Sequence, residues 1–177
     1  MQRARELDPL NEFRETYYGW HLNFLRRYDE AIPIFQKLLP TGLNKAANYL
    51  GLWGAYYKKG MYDDALAAAR GYFESTGERE FADALGTGRD EATYLKAMKR
   101  VGELMAAQSK RRHVPANRIA RMFAHSGDKN SAIKWLETSY QRKESPLIRL
   151  AVFWDWDDLR SDPRLQDLLR RMNLPQN

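Results

Sequence analysis

The 177-residue chain has no cysteine. Disulfides, zinc ribbons and thiol chemistry are therefore excluded, and the absence fits a reducing compartment. Valine and isoleucine are sparse and no β-branched alternating run occurs, so no stretch reads as a sheet strand. No apolar run approaches the roughly 20 residues that a membrane span needs. The first residues are charged and no apolar run follows, so no signal peptide is read there and a cytoplasmic protein is expected. Histidine is scarce: His21, His113 and His125 share no metal-ligand spacing, and no metal site is expected. Gly86-Thr87-Gly88 has no Lys-Ser/Thr after it, so it is no phosphate cradle. No nucleophile sits in a recognisable catalytic frame. A non-enzymatic chain without cofactor is the expectation.

What is present is helix-forming. Hydrophobic residues make up 44% and charged residues 29%, the balance of a globular chain. Ala, Leu, Lys and Arg dominate, so the fold class read here is all-α. Leu52 to Leu66, LWGAYYKKGMYDDAL, holds a helix end, a turn and a helix start. Leu52, Ala55 and Tyr56 share one helical face, and Tyr62, Ala65 and Leu66 resume the spacing. Gly60 between them supplies the left-handed backbone of a helix exit. One such hairpin cannot bury its apolar faces alone. Upstream, Tyr28-Asp29-Glu30-Ala31-Ile32 matches Tyr62-Asp63-Asp64-Ala65-Leu66 position by position. Downstream, Gly127-Asp128-Lys129-Asn130-Ser131-Ala132-Ile133 repeats the turn again, with Ala132 one position short of two such steps after Ala65.

Helices are expected over about Pro9–Leu25, Tyr28–Leu39, Leu43–Lys59, Tyr62–Ser75, Glu78–Leu85 and Asp90–Gln108. Pro33 is read as lying in the first turn of its helix, where its missing N–H is harmless. Leu95, Met98, Val101 and Met105 form the apolar face of the sixth helix, with Lys96, Lys99, Arg100 and Glu103 turned away. The third copy of the hairpin ends near Gln141, and Ser145-Pro146 redirects the chain. A last helix starts with Asp162 as N-cap and Pro163 at its first position. Its stripe is Leu165, Leu168, Leu169 and Met172, and Arg170 and Arg171 favour its C-terminal dipole. Asp155, Asp157 and Asp158 stand among Trp154 and Trp156. Paired carboxylates could serve acid–base work, but here they are expected to cap and solvate a turn while the tryptophans pack.

The step between the first two copies, and the residues that recur, resemble the tetratricopeptide (TPR) family. Repeat 1, residues 12–45, matches with Gly19, Tyr28, Ala31 and Phe35. Repeat 2, residues 46–79, matches with Leu52, Tyr56, Gly60, Tyr62 and Ala65, and departs where Trp53 replaces the usual glycine. Repeat 3, residues 113–146, matches with Ala120, Phe123, Gly127, Ala132 and Leu136. Residues 80–110 are read as a degenerate repeat and 147–177 as a C-terminal cap. The resemblance implies an α-solenoid of antiparallel helical hairpins, a TPR-like superhelix closed by a capping helix, over one domain spanning 1–177. Glu6-Leu7-Asp8-Pro9 resembles the exit of a preceding TPR unit, which implies a longer parent chain. The tail from Leu159 to Met172 resembles the C-terminal end of TPR modules in bacterial multidomain signalling proteins.

In the TPR family the first helix of each repeat lines an inner groove. The resemblance implies a peptide-binding groove with Phe13, Trp20, Asn23, Phe24 and Tyr57 toward one end and Asn117, Arg118, Arg121 and His125 toward the other. Thr16, Gly51 and Val114 also fall at groove positions. Arg118 alone agrees with the carboxylate-clamp pattern of chaperone-tail binders. Residues 95–127 carry eight basic residues, Arg118 and Arg121 among them, against the single acid Glu103. Both arginines are expected to be exposed. A basic patch attracts acidic partners. The leading reading is a protein-interaction scaffold for a peptide or protein segment with acidic and apolar residues. The alternatives are an interdomain or homo-oligomerisation spacer of a signalling protein, and nucleic-acid binding through residues 95–127.

Overall fold

The computed structural model describes residues 12–175 and is all-helical, with no strand among them. The expected start at Pro9 and the segment Glu6–Pro9 lie outside the described residues. The α-helices are α1 (Glu12–Phe24), α2 (Tyr28–Leu38), α3 (Lys45–Lys58), α4 (Tyr62–Ser75), α5 (Arg79–Ala84), α6 (Glu91–Gln108), α7 (Ala116–His125), α8 (Lys129–Gln141) and α9 (Pro163–Arg171). Short 3₁₀ segments cover Leu39–Thr41, Ser145–Arg149 and Trp154–Leu159. Among the described residues no helix is long and apolar enough to cross a membrane. The chain divides into two compact units, Met1–Glu91 and Ala92–Asn177. The stretch read as a degenerate repeat, 80–110, is shared between them.

In the first unit α1 packs on α2, α2 on α3, and α3 on both α4 and α1. The two hairpin turns have one geometry. Gly60 takes φ +70°, and Arg26, at the equivalent place in the earlier copy, takes φ +62°. The next residue then donates its N–H back over the helix end: Met61 to the Tyr56 carbonyl and Arg27 to the Leu22 carbonyl, each at 2.9 Å. This closure satisfies carbonyls that a helix end otherwise leaves orphaned. Glycine adopts the left-handed angles freely, and arginine does so at a steric cost. After each turn an alanine, Ala31 or Ala65, is wholly buried. Phe35 sits between two glycines: a Cβ on Gly19 would approach its ring to 2.7 Å, and one on Gly51 to 2.4 Å. Gly51, read as a groove position, is therefore a spacer for the Phe35 ring. Trp53, which replaces the usual glycine, is buried with its ring tilted against Tyr72 and Phe73 at 6.1 and 5.9 Å. Pro33 departs from the expectation. It is the sixth residue of α2, in the second turn, so it does remove a helical N–H, and its side is exposed.

In the second unit α6 buries Tyr94, Ala97, Met98, Val101, Gly102 and Met105 and exposes Lys96, Lys99, Arg100 and Glu103. Gly102 brings it close to α7, where an added Cβ would lie 3.1 Å from Met122 Cβ. The α7–α8 turn repeats the earlier geometry: Gly127 has φ +77°, and the Asp128 N–H reaches the Phe123 carbonyl at 3.0 Å. Ala132 is wholly buried after it. The start of α7 is capped from a distance. Glu144 accepts the N–H groups of Ala116 and Asn117 at 2.8 and 3.0 Å and the Ser139 hydroxyl at 2.6 Å. A carboxylate there answers the positive end of the helix dipole. Asp162 accepts the Arg164 N–H at 2.9 Å, Pro163 opens α9, and Leu165, Leu168 and Leu169 are buried.

Candidate functional site

The first helix turns one side to its neighbours and leaves another open. Residues 16, 20 and 23 recur at helical spacing, and all three are tied to α3. The Thr16 hydroxyl donates to Asn48 Oδ1 at 3.0 Å, the Trp20 indole N–H to the Ala47 carbonyl at 3.2 Å, and Asn23 Nδ2 to the Gly51 carbonyl at 2.9 Å. Asn23 is fully buried. It holds two helices together and does not present its amide to a ligand. Phe13, Tyr17, Trp20 and Phe24 form the adjacent stripe. Phe13 is 55% exposed and Tyr17 65% exposed. Trp20 and Phe24 are half-buried with ring centroids 6.2 Å apart. Tyr57 on α3 is half-buried beside Lys58, whose ammonium lies 5.1 Å from its ring centre. Four of the expected aromatic residues thus keep accessible surface in the first unit: Phe13, Trp20, Phe24 and Tyr57. Tyr17, at i+4 from Phe13, joins them; the spacing signals it, although the family pattern does not.

The expected basic end of the groove is built differently. Asn117 and His125 are buried, and Arg118 is half-buried. Arg121 is not the exposed side chain anticipated: its side chain is 13% exposed, and its Nε lies 2.7 Å from Asp155 Oδ2. That pair is poorly aligned for a hydrogen bond, so its attraction is mainly Coulombic. The 3₁₀ segment Trp154–Leu159 packs on α7 and carries Asp155, Trp154 and Trp156 into the interior. The face of α7 read as an open groove is filled there by the chain itself. Asp155, read from the sequence as a solvated turn cap, is a buried ion instead, because Arg121 and His125 supply the partners that permit burial. His125 Nε2 lies 2.7 Å from Asp155 Oδ1, and His125 Nδ1 lies 2.6 Å from the Tyr94 hydroxyl. The Arg121 guanidinium also stands 5.3 Å from the Phe153 ring centre, and Phe153 stacks on Trp154 at 4.2 Å. Burial alone would raise the Asp155 carboxyl. The Arg121 charge and the hydrogen bond and charge of His125 outweigh it and hold the carboxyl below its ordinary value.

None of the four members of this cluster reads as an interior group in the sequence: Tyr94 is not singled out, Asp155 reads as a turn cap, and Arg121 and His125 read as groove residues. An aspartate between tryptophans reads as a cap, and only the long-range partners on α6 and α7 change its meaning. Of the other acids, Asp157 is half-buried and pairs with Arg160 at 2.8 Å, and Asp158 is exposed. Among the remaining cations of 95–127, Lys96, Lys99, Arg100, Lys110, Arg111 and Arg112 are exposed. A cleft of about 560 Å³ lies between α8 and α9, lined by Ile133 and Leu168 and by charges of both signs, including Glu137 and Arg171. No group of three or more His, Cys, Asp or Glu that could hold a metal occurs among the described residues. Comparison with protein-family models, curated proteins and solved structures gives no significant match to this chain.

Proposed function

We propose that the chain is a non-enzymatic, TPR-like helical-hairpin scaffold that binds a protein segment, and that the aromatic stripe of α1 is its binding face. The TPR-like reading is supported by the turn that recurs at Arg26, Gly60 and Gly127 and by the buried alanines 31, 65 and 132 that follow. The single observation that carries the binding face is the stripe itself. Thr16, the Trp20 indole N–H and the Asn23 amide N–H of α1 are committed to α3, while Phe13 and Tyr17 stay largely exposed beside the half-exposed rings of Trp20 and Phe24. Aromatic side chains anchor interfaces because they bury large area for few rotatable bonds. The test is capture of partners from the source cell by the chain and by Phe13→Ala/Tyr17→Ala. Capture by the wild type and its loss in the variant, with unchanged melting, is the expected result. Equal capture by both would remove the binding face.

The second reading is a spacer within a longer signalling protein. The filling of the α7 face by residues 154–159 favours it, because that face then offers a ligand no groove. Under this reading the chain captures no partner at all.

A further inference from the structure

The cluster of Tyr94, Arg121, His125 and Asp155 brings four ionisable side chains together, with the buried His125 imidazole between Tyr94 and Asp155 and Arg121 on the far oxygen of Asp155. His125 is 1% exposed, Asp155 3% and Tyr94 wholly buried. The groups come from three elements: Tyr94 from α6, Arg121 and His125 from α7, and Asp155 from the 154–159 segment. The buried residues that α8 contributes to the unit are Ala132, Ile133, Leu136 and Ser139, none of them charged. We propose that this cluster is a pH-sensitive clasp, in which neutral His125 holds the Phe153–Leu159 segment on α7 and protonation of His125 loosens it.

The argument is one of charge balance and hydrogen-bond direction. Asp155 is negative and Arg121 positive, so the site is neutral when the imidazole is neutral. In that state His125 donates its Nε2–H to Asp155 Oδ1, and its Nδ1 lone pair accepts the Tyr94 hydroxyl proton. Both ring nitrogens are then satisfied. A proton taken from solvent must bind Nδ1. The Tyr94 hydroxyl then faces an N–H and has to turn its own proton away. The site also gains a net positive charge among side chains that are almost wholly buried, where such a charge is disfavoured. A guanidinium is charged and a phenol neutral across the range in which histidine ordinarily titrates. Asp155, held below the ordinary carboxylate value above all by the Arg121 charge, which does not depend on the state of the imidazole, keeps its charge there too. His125 is thus the one member of the cluster that changes state. Of the other two histidines, His21 belongs to the first unit, and His113 is exposed and outside the cluster.

Two measurements on the full chain test this. Nitrogen NMR of the imidazoles at about pH 7 reads the tautomer of His125, and hydrogen exchange corrected for intrinsic rates reads protection of residues 153–159 at about pH 7 and about pH 5. The expected results are a neutral, Nε2-protonated His125 at the higher pH and a loss of protection of about ten-fold or more at the lower. In His125→Gln the segment should lose most of that pH response. If His125→Gln does not fold, the wild-type titration alone decides. An imidazolium at the higher pH, protection that does not change between the two conditions, or an unchanged pH response in a folded His125→Gln protein would each overturn the proposal.

Discussion

Asp155 shows how far one side chain's meaning depends on residues distant in sequence. Its carboxylate sits among tryptophans, where an unpaired ion would not persist, and it is held by the guanidinium of Arg121 from α7, a separate element of the chain. Removing one partner of such a pair leaves the other charge buried, which typically costs about 3–5 kcal/mol. Arg121 keeps a little solvent contact, so Arg121→Ala should fall toward about 3 kcal/mol, read as a lower urea midpoint. A change under about 1 kcal/mol would mean that the pair does not hold the segment. A charge reversal at Arg121 therefore tests stability before it tests binding. Asp162 offers a cleaner acid. Its hydrogen bond from the Arg164 side chain, opposed by burial and helped by the Arg164 backbone N–H, lowers its pKa from 3.8 to about 2. A lowered carboxylate stabilises the fold above its ordinary value, and that contribution is lost as pH falls from 3.8 toward about 2. Asp162→Asn can still cap the helix. The variant lacks the charge that pairs with Arg164, so it should be somewhat less stable than the wild type at neutral pH, converge with it below this window, and show a weaker acid dependence of unfolding through it. Identical acid curves would show that the cap carries no linked proton.

At the scale of elements, local chemistry was enough where a glycine or a capping acid marks a helix end. Gly60 with apolar spacing on both sides marks the α3–α4 hairpin, and the bounds expected for α4, Tyr62–Ser75, are the observed ones. Asp162-Pro163 likewise fixes the start of α9, because a capping acid and an N1 proline act within one turn. The turn at Arg26 was legible only through the repeat of Tyr28 and Ala31, since arginine carries no left-handed signature. Pro33 was misplaced by a turn because its tolerance comes from an exposed side of α2, which periodicity alone does not assign. The candidate site was legible in part. Aromatic residues at i, i+4, i+7 and i+11 announce a stripe on α1, but nothing local shows that Asn23 and Asn117 are buried. Ala65 tests the hairpin reading directly. It is wholly buried just after the turn, on a helix whose main packing partner is α3. Ala65→Leu adds three carbons where the contact has no room, and should cost about 1–3 kcal/mol in thermal or urea unfolding. An unchanged midpoint would place residue 65 away from a helix crossing.

For the whole molecule, the hairpins fall into two compact units, Met1–Glu91 and Ala92–Asn177. A repeat period reports contacts between successive hairpins and says little about where cores separate. Function then has to be sought unit by unit. The first unit offers uncovered aromatic area. The second offers exposed cations on α6 and in the turn after it, while its α7 face is occupied by its own chain. These two surfaces bind by different physics, so they answer to salt differently. Apolar burial is nearly indifferent to moderate salt, whereas a partner held on phosphates by several cations loses affinity steeply. With the α1 stripe as the binding face, a captured partner should stay bound between about 50 and about 200 mM salt within roughly two- or three-fold, whereas several phosphate contacts would give a loss of orders of magnitude. Lys96→Glu/Lys99→Glu/Arg100→Glu should leave that affinity unchanged, because those side chains face solvent on α6. Phe13→Ala/Tyr17→Ala should lower it by about ten-fold or more, since losing two anchoring rings costs more than about 1.4 kcal/mol. The reverse pattern, a steep salt slope together with loss of binding in the charge-reversed triple variant, would move the function to the basic face of the second unit and leave the aromatic stripe without a role.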